Sequence, residues 1–278
     1  MPLITLDNIS LRFSEKVILD EINATILKGD KIGLIGRNGE GKSSFLKVLA
    51  GLIHADDGNL KVKNNTRISY LEQQPPEDND YSLFNIVARG LGETGKLLAN
   101  YHDSLQNGDI EKSAELQDQI ESKDLWHYLH QIETILNRFK LDPTAKLSTL
   151  SGGWKRRVML AKAIVQEPEL LLLDEPTNHM DITAILDLEK MLKDFHGTLI
   201  LISHDRSFVN GIVNKIFDLD RGKLSIFDCG YLVYLKRKEN LLNSEELENA
   251  RFNKKLAQEE TWIRQGIKAR RTRNEGRV

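Results

Sequence analysis

Cysteine is almost absent: Cys229 is the single one in 278 residues. One thiol makes no internal disulfide, so no covalent staple holds the fold, and a reducing cytoplasm is the expected compartment. Long apolar runs are missing too. Nothing approaches the roughly 18–20 residues that a membrane span needs, and the amino terminus has no signal-peptide core, so no membrane partner is expected. No internal repeat is visible, which argues against a solenoid. Neither sign of charge dominates, the net being −2. What remains is the composition of an ordinary soluble protein, 40% hydrophobic and 29% charged, long enough for one large domain or a domain with appendages.

The small net charge hides an asymmetry. Residues 236–278 hold 12 Lys/Arg against 7 Asp/Glu, a balance of +5, so residues 1–235 carry −7. An acidic body with a basic tail suits a polyanionic partner for the tail, although a solvated helix has the same composition.

Short β-type runs, Ile4–Leu6, Ser10–Phe13 and Ile22–Ile26, precede Lys31–Ile35. That run enters a Gly-rich turn, and Ser43–Ala50 then reads as a helix stopped by Gly51. Further strands are predicted at Ile68–Leu71, Leu170–Leu173 and Thr198–Ile202; the last two are continuous apolar runs, as in strands covered on both faces. A hairpin closes at Ile216–Phe227 around Asp220-Arg221-Gly222. Between about 84 and 139 the spacing turns helical. Leu97, Tyr101 and Leu105 are four apart, Asn107-Gly108-Asp109 breaks the run, and Leu116 and Ile120 resume it. Ser122 or Asp124 is placed to cap a third helix through Leu125, Leu129, Ile132 and Leu136. This reads as a helical hairpin inserted at about 84–124 in an α/β domain. From about 236 the pattern is one long polar helix, and residues 270–278 look unlike a domain end, so a truncated chain is expected.

Gly36-Arg37-Asn38-Gly39-Glu40-Gly41-Lys42-Ser43 fits G-x-x-x-x-G-K-[ST] between a strand and a helix. Such glycines let backbone N–H groups wrap a β-phosphate, while Lys42 supplies charge to the β/γ-phosphates and the Ser43 hydroxyl ligates Mg²⁺. Leu170-Leu171-Leu172-Leu173-Asp174-Glu175 carries two carboxylates to the carboxyl edge of the sheet, where open α/β sheets bind ligands. Beside the loop, Asp174 is read as a Mg²⁺ holder and Glu175 as the base for the attacking water. A solvated strand end is the plainer reading of an isolated Asp-Glu pair. Ile202-Ser203-His204-Asp205 delivers His204 to the same edge, towards the γ-phosphate. Gln73, with Gln74 as its rival, offers an amide to Mg²⁺ or to water. Phe13 is placed to stack on a base, or else to fill the core. Ser151, Gly152 and Gly153 precede another helical pattern, where a hydroxyl and free N–H groups can hold an anion.

Taken in order, Gly36–Ser43, Gln73, Leu150-Ser151-Gly152-Gly153, Leu170–Glu175, Pro176-Thr177-Asn178-His179-Met180-Asp181 and His204 resemble an ATP-binding-cassette ATPase over residues 1–235. The resemblance implies a P-loop NTPase fold with a RecA-like core, an antiparallel β subdomain and a helical signature subdomain. It implies ATP and Mg²⁺, and a head-to-tail pair of cassettes. Each ATP then lies between one P-loop, residues 36–44 with Ser44 at its end, and the other cassette's Leu150–Trp154 segment. Asp181 would tie the two sites together. The run Asp174–His179, the inserted hairpin and the charged helix after 236 are similar to the ABC-F family. Ser-Gly-Gly-Trp and residues 262–277 resemble its Uup branch, whose linker leads to a second cassette. That family works on the ribosome, with contacts to rRNA or tRNA, and DNA binding is associated with the Uup branch. A transporter ATPase subunit is the third reading, disfavoured by the insert and the basic tail.

Several positions depart from the family pattern. Ser44 stands where Thr is commoner, and Met180 where Leu is usual. Glu40 sets a carboxylate inside the phosphate loop, useful only if it points to solvent. The insert, residues 84–121, has three Lys/Arg against seven Asp/Glu, a balance of −4 that makes a poor phosphate-binding surface, so a protein surface or a few RNA contacts are expected there. In the tail, Arg264, Lys268, Arg270, Arg271, Arg273 and Arg277 oppose only Glu275 and are read as nucleic-acid contacts. Trp154 takes a place usually held by Gln. With Val158, Ala161 and Val165 it forms a 4-3-4 stripe that predicts packing, and a place beside the nucleotide is the alternative.

Overall fold

The computed structural model describes residues 1–14, 16–71, 80–178 and 180–241. β1 (Pro2–Phe13) pairs antiparallel with β2 (Lys16–Leu27) and β4 (Asp57–Val62) in a three-stranded sheet. The two short runs expected near the amino terminus are thus one strand. The interruption between them is a register shift after Leu6, where Asn8 takes φ 53°, its main-chain amide donates to Asn23 Oδ1 and its Oδ1 accepts from Asn23 Nδ2. β4 is absent from the sequence reading because DGNLKV is exposed apart from a half-buried Leu60, and its alternation is limited to Leu60 and Val62.

The second sheet has six strands in the order β5 (Ile68–Leu71), β6 (Leu170–Asp174), β7 (Thr198–Ile202), β3 (Lys31–Ile35), β8 (Lys215–Asp220), β9 (Lys223–Phe227). The first five are parallel; β9 returns antiparallel through Arg221 and Gly222, both at positive φ. β6 and β7 are buried along their whole length, as their unbroken apolar runs demand. Because β3, β7 and β6 are neighbours, whatever follows their carboxyl ends is brought to one edge.

α1 (Lys42–Leu49) follows β3 and stops at Gly51, φ 73°. All six residues of α2 (Leu83–Ala88) are buried, so the chain from 84 belongs to the body, and the hairpin itself begins with α3 (Gly92–Gln106). Gly108 makes the turn and Asp109 caps α4 (Ile110–Ser122), accepting from the Lys112 amide. Ile120 is the one fully buried residue of α4, while Leu105 and Ile110 stand exposed at the tip. α5 (Trp126–Arg138) corrects the expected cap. Neither Ser122 nor Asp124 caps it through a side chain, since Leu125 is the N-cap residue and Asp124 instead turns the chain at φ 53°. α6 (Gly152–Ile164), α7 (Ile182–Lys193) and α8 (Arg206–Ile212) complete the set.

Met1–Tyr231 is one compact unit, and a second begins at Leu232, described as helical to Leu241. The six basic residues between Arg264 and Arg277, and Gln73 with its rival Gln74, lie outside the described residues. Among the described residues no helix is long and apolar enough to cross a membrane.

Candidate functional site

The Gly-rich loop from Gly36 to Gly41 joins β3 to α1. Two of its glycines are required by what lies behind them: a Cβ at Gly36 would run into the carbonyl oxygen of Leu219, and one at Gly41, φ 94°, into the side chain of Ile18. Inside the loop the Lys42 ammonium donates to the carbonyls of Gly36 (2.8 Å) and Arg37 (2.9 Å). Lys16 on β2 donates to Gly39 from outside at 3.0 Å. Burial pushes the Lys42 pKa below its ordinary value, and Glu175, Asp174 and Glu40 oppose that shift. A partly desolvated ammonium on neutral carbonyls gains from an incoming anion. Arg37, Asn38, Gly39 and Ser43 are exposed on the open side, with Ser44 half-buried behind them.

Glu40 is half-buried and has a partner. Its carboxylate accepts the Arg221 amide at 2.9 Å, which ties the loop to the β8–β9 turn. The charge still lies within the field of Lys42. Glu40→Gln keeps an acceptor for Arg221 and removes the charge. ATP should then bind roughly two- to five-fold tighter at low salt, about 0.5–1 kcal/mol, and the gain should shrink at high salt. Titration calorimetry at two ionic strengths reads this; an unchanged affinity at both counts against it.

Asp174 ends β6 and Glu175 follows it, both buried. The Tyr70 hydroxyl lies 3.3 Å from Asp174 Oδ2. Glu175 takes φ 49°, a left-handed conformation that costs a non-glycine residue about 1–2 kcal/mol. Its amide donates to Ile202 at 3.0 Å, and Arg156 on α6 donates to its carbonyl at 3.1 Å and to that of Asp174. The side chain is 7% exposed. Oε2 accepts the His204 amide at 3.3 Å, and Oε1 lies 3.4 Å from His204 Nε2 without making a hydrogen bond, so a buried carboxylate oxygen is left for a further donor. The His204 ring is 66% exposed. Gly36, Lys42, Glu175, Ser203, His204 and Arg206 line one cleft of about 120 Å³. A larger cavity of about 290 Å³ lies among α5, α6 and α7 and shares none of these residues. The smaller cleft is the one that brings a lysine, a carboxylate and an imidazole together beside the Gly-rich loop, so volume does not decide the assignment.

The donor set fits Mg²⁺ and a nucleotide: a hydroxyl at Ser43, a carboxylate at Asp174, and the orphaned Glu175 oxygen for water. Phe13 ends β1 with 48% of its surface exposed, so it does not fill the core and its ring is open to a base.

Leu150–Trp154 is elsewhere and lines no part of that cleft. Ser151 is the N-cap of α6 but its hydroxyl makes no capping bond; Ser151 and Gly152 are exposed and Gly153 half-buried. Trp154 corrects the packing expectation. Val158, Ala161 and Val165 are buried, but Trp154 is 39% exposed and lies under the Arg157 guanidinium, 4.8 Å from its ring centre. Arg157 also pairs with Asp187 on α7 at 3.3 Å. Asp181 caps α7; the Thr183 hydroxyl and the Ala184 amide hold its carboxyl below the usual range. Sequence reasoning missed Arg156 altogether, because a basic residue on an amphipathic helix carries no sign that it will be buried.

Residues 19–178 match the family model described as ABC transporter. The ATP-binding protein Uup of Escherichia coli K12 is 46% identical over the whole chain and 45% of its own length, and that of Haemophilus influenzae 45% identical over 44% of its length. The energy-dependent translational throttle protein EttA of Mycobacterium tuberculosis is 33% identical over 99% of the chain and 50% of its own length. The chain thus spans about half the length of these relatives or less. Among solved structures, an ATP-binding subunit of an ABC transporter superposes with a TM-score of 0.67 at 19% identity, covering 88% of this chain and 98% of that one. A nucleotide-free cassette from an ABC transporter gives 0.65 at 20% identity, covering 87% and 96%.

Proposed function

The chain belongs to the ATP-binding-cassette family, in its ABC-F branch, and from that premise we propose that it hydrolyses ATP at a site shared by two cassettes. The observation that carries this is the separation of two phosphate-binding devices. Lys42, Glu175 and His204 share one cleft, while the exposed amino terminus of α6 lies outside it and has no phosphate to serve in its own cassette. The backbone of residues 36–44 and Lys42 bind the β/γ-phosphates, and Phe13 stacks on the base. Ser43 and Asp174, with Gln73, hold Mg²⁺, which spreads the phosphate charge when bound. Glu175 Oε1 orients the attacking water and takes its proton, and His204 faces the γ-phosphate. Leu150–Trp154 of the other cassette closes from the far side, with Asp181 joining the two sites.

If the site is shared, turnover per chain rises with protein concentration until pairing saturates. A phosphate-release assay over a wide dilution series tests this; a fast rate independent of concentration contradicts the shared site.

The work driven by this cycle is proposed to be on the ribosome, in the cytoplasm. EttA, named as a translational throttle, is a relative over nearly the full chain. The α3–α4 hairpin is acidic, almost free of the body along α4, and tipped by exposed Leu105 and Ile110, which suits a protein surface better than a phosphate backbone. The basic run Arg264–Arg277 supports a second reading, action on branched DNA. Co-sedimentation with ribosomes, set against salt-dependent binding to DNA junctions, separates the two. A salt slope that disappears when the tail arginines are neutralised places the contact there.

A further inference from the structure

We propose that Arg156 is a positioning residue that links the two ATP sites through a single helix; the inference rests on the shared-site reading above. α6 begins at Gly152, directly after Ser151, so its first turn is the part that serves the ATP of the other cassette. Arg156, in the second turn of the same helix, is buried and reaches the opposite way. Its guanidinium donates to two consecutive main-chain carbonyls, those of Asp174 and Glu175. These are the residues assigned to the metal and to the attacking water of this cassette's own ATP.

The place where Arg156 takes hold matters. Glu175 sits at φ 49°, away from the preferred backbone basins, and such a corner persists only when its surroundings over-determine it. Three hydrogen bonds hold its backbone: its amide donates to Ile202, and its carbonyl accepts from the Asn178 amide at 3.3 Å and, on the α6 side, from Arg156. The position of the Oε1 oxygen therefore depends on where α6 lies. A small displacement of α6, when its amino terminus closes on a phosphate, is carried by the planar guanidinium to the corner that aims the base. Engagement in trans thus sets the catalytic geometry in cis. Both of these bonds are to main chain, so through them Arg156 acts on the base by way of the Glu175 backbone.

Burial makes Arg156 more than a surface contact. Charge-assisted bonds to carbonyls in a water-poor site are directional and hold their geometry. Both bonds come from one terminal nitrogen, Nη2, and the planar guanidinium fixes the directions of its two N–H groups, whereas a lysine ammonium rotates about its stem.

Arg156→Met removes the donors and keeps an unbranched apolar stem; Arg156→Lys keeps a charged donor nitrogen but loses the planar group that fixes its direction. In the 278-residue chain, measured where turnover no longer rises with concentration, Arg156→Met is expected to lower kcat about tenfold or more and to change KM and nucleotide Kd less than threefold. Arg156→Lys should recover part of the loss. A readout without turnover accompanies this: nucleotide should slow amide exchange at 174–178 in the parent, and should fail to do so in Arg156→Met although nucleotide still binds. Parental kcat and parental exchange in Arg156→Met overturn the proposal. If Arg156→Met loses its circular dichroism, Arg156→Lys decides, and parental kcat with parental exchange in that variant overturns it equally. A parent chain that binds but never hydrolyses ATP overturns the shared-site reading, and the positioning role with it.

Discussion

Glu175→Gln is expected to reduce ATP turnover about a hundredfold or more while leaving nucleotide affinity within a few-fold of the parent. The amide is nearly isosteric with the carboxylate, so the burial of residue 175 is undisturbed, and its main-chain bonds to Ile202 and Arg156 do not involve the side chain. Oε2 accepts the His204 amide, a bond that a glutamine oxygen also makes. What is lost is a base at Oε1, the buried oxygen with no hydrogen-bond partner. General-base catalysis contributes about 10²–10⁴-fold, and this is the share at stake. On the proposed reading, binding rests on the Gly36–Ser44 loop and Lys42, and neither Gly36 nor Lys42 is changed by the substitution. The variant should therefore hold ATP and stay paired, visible as ATP-dependent dimer by light scattering. Parental turnover would remove Glu175 from the role of base; loss of binding would make it part of the phosphate site instead.

Much of this arrangement is legible in the sequence for a physical reason. Phosphate chemistry needs glycines at fixed spacing with a lysine after them, and both features are local. β6 and β7 are also local signals, since an unbroken Leu/Ile run has few alternatives to a strand covered on both faces. The order of strands puts β3, β7 and β6 side by side, and that adjacency brings Lys42, His204 and Glu175 into one cleft. The rest depends on partners distant in the chain. β4 owes its existence to pairing with β1 and offers only Leu60 and Val62 as an apolar face, of which Leu60 packs on the core. Glu40 looks misplaced in a phosphate loop until the amide of Arg221, far along the chain, is seen to hold it. Trp154 belongs to its stripe by spacing, yet it stays exposed at the start of a helix whose later turns are buried, where periodicity says nothing about where burial begins. Arg156 and Arg157 are adjacent and chemically alike; one is buried against the β6 corner and the other spans Trp154 and Asp187.

Two inactive variants are expected to restore each other when mixed. Lys42→Ala removes the cation of the phosphate loop at the first residue of α1, where alanine favours the helix, so the fold should survive and the loop fail. Gly152→Asp places a carboxylate at the first residue of α6, where the helix dipole tolerates it but an approaching γ-phosphate does not. Each alone is expected to fall at least a hundredfold, because in a symmetric pair both sites carry the lesion. In a mixed pair the lesions segregate. One site joins the damaged loop to the damaged signature, and the other joins the intact loop of the Gly152→Asp chain to the intact signature of the Lys42→Ala chain. Half of the pairs in an equal mixture are mixed and each has one working site, so the rate per chain should return to about a quarter of the parent's. A site confined to one chain predicts no recovery, because neither chain holds both halves intact. Recovery also needs pairing, so an equal mixture that stays inactive while light scattering shows it paired sinks the shared site. Recovery well above a quarter would mean that one intact site works faster when its neighbour is idle, and the link from α6 to Glu175 would then have to carry restraint between the sites as well as engagement.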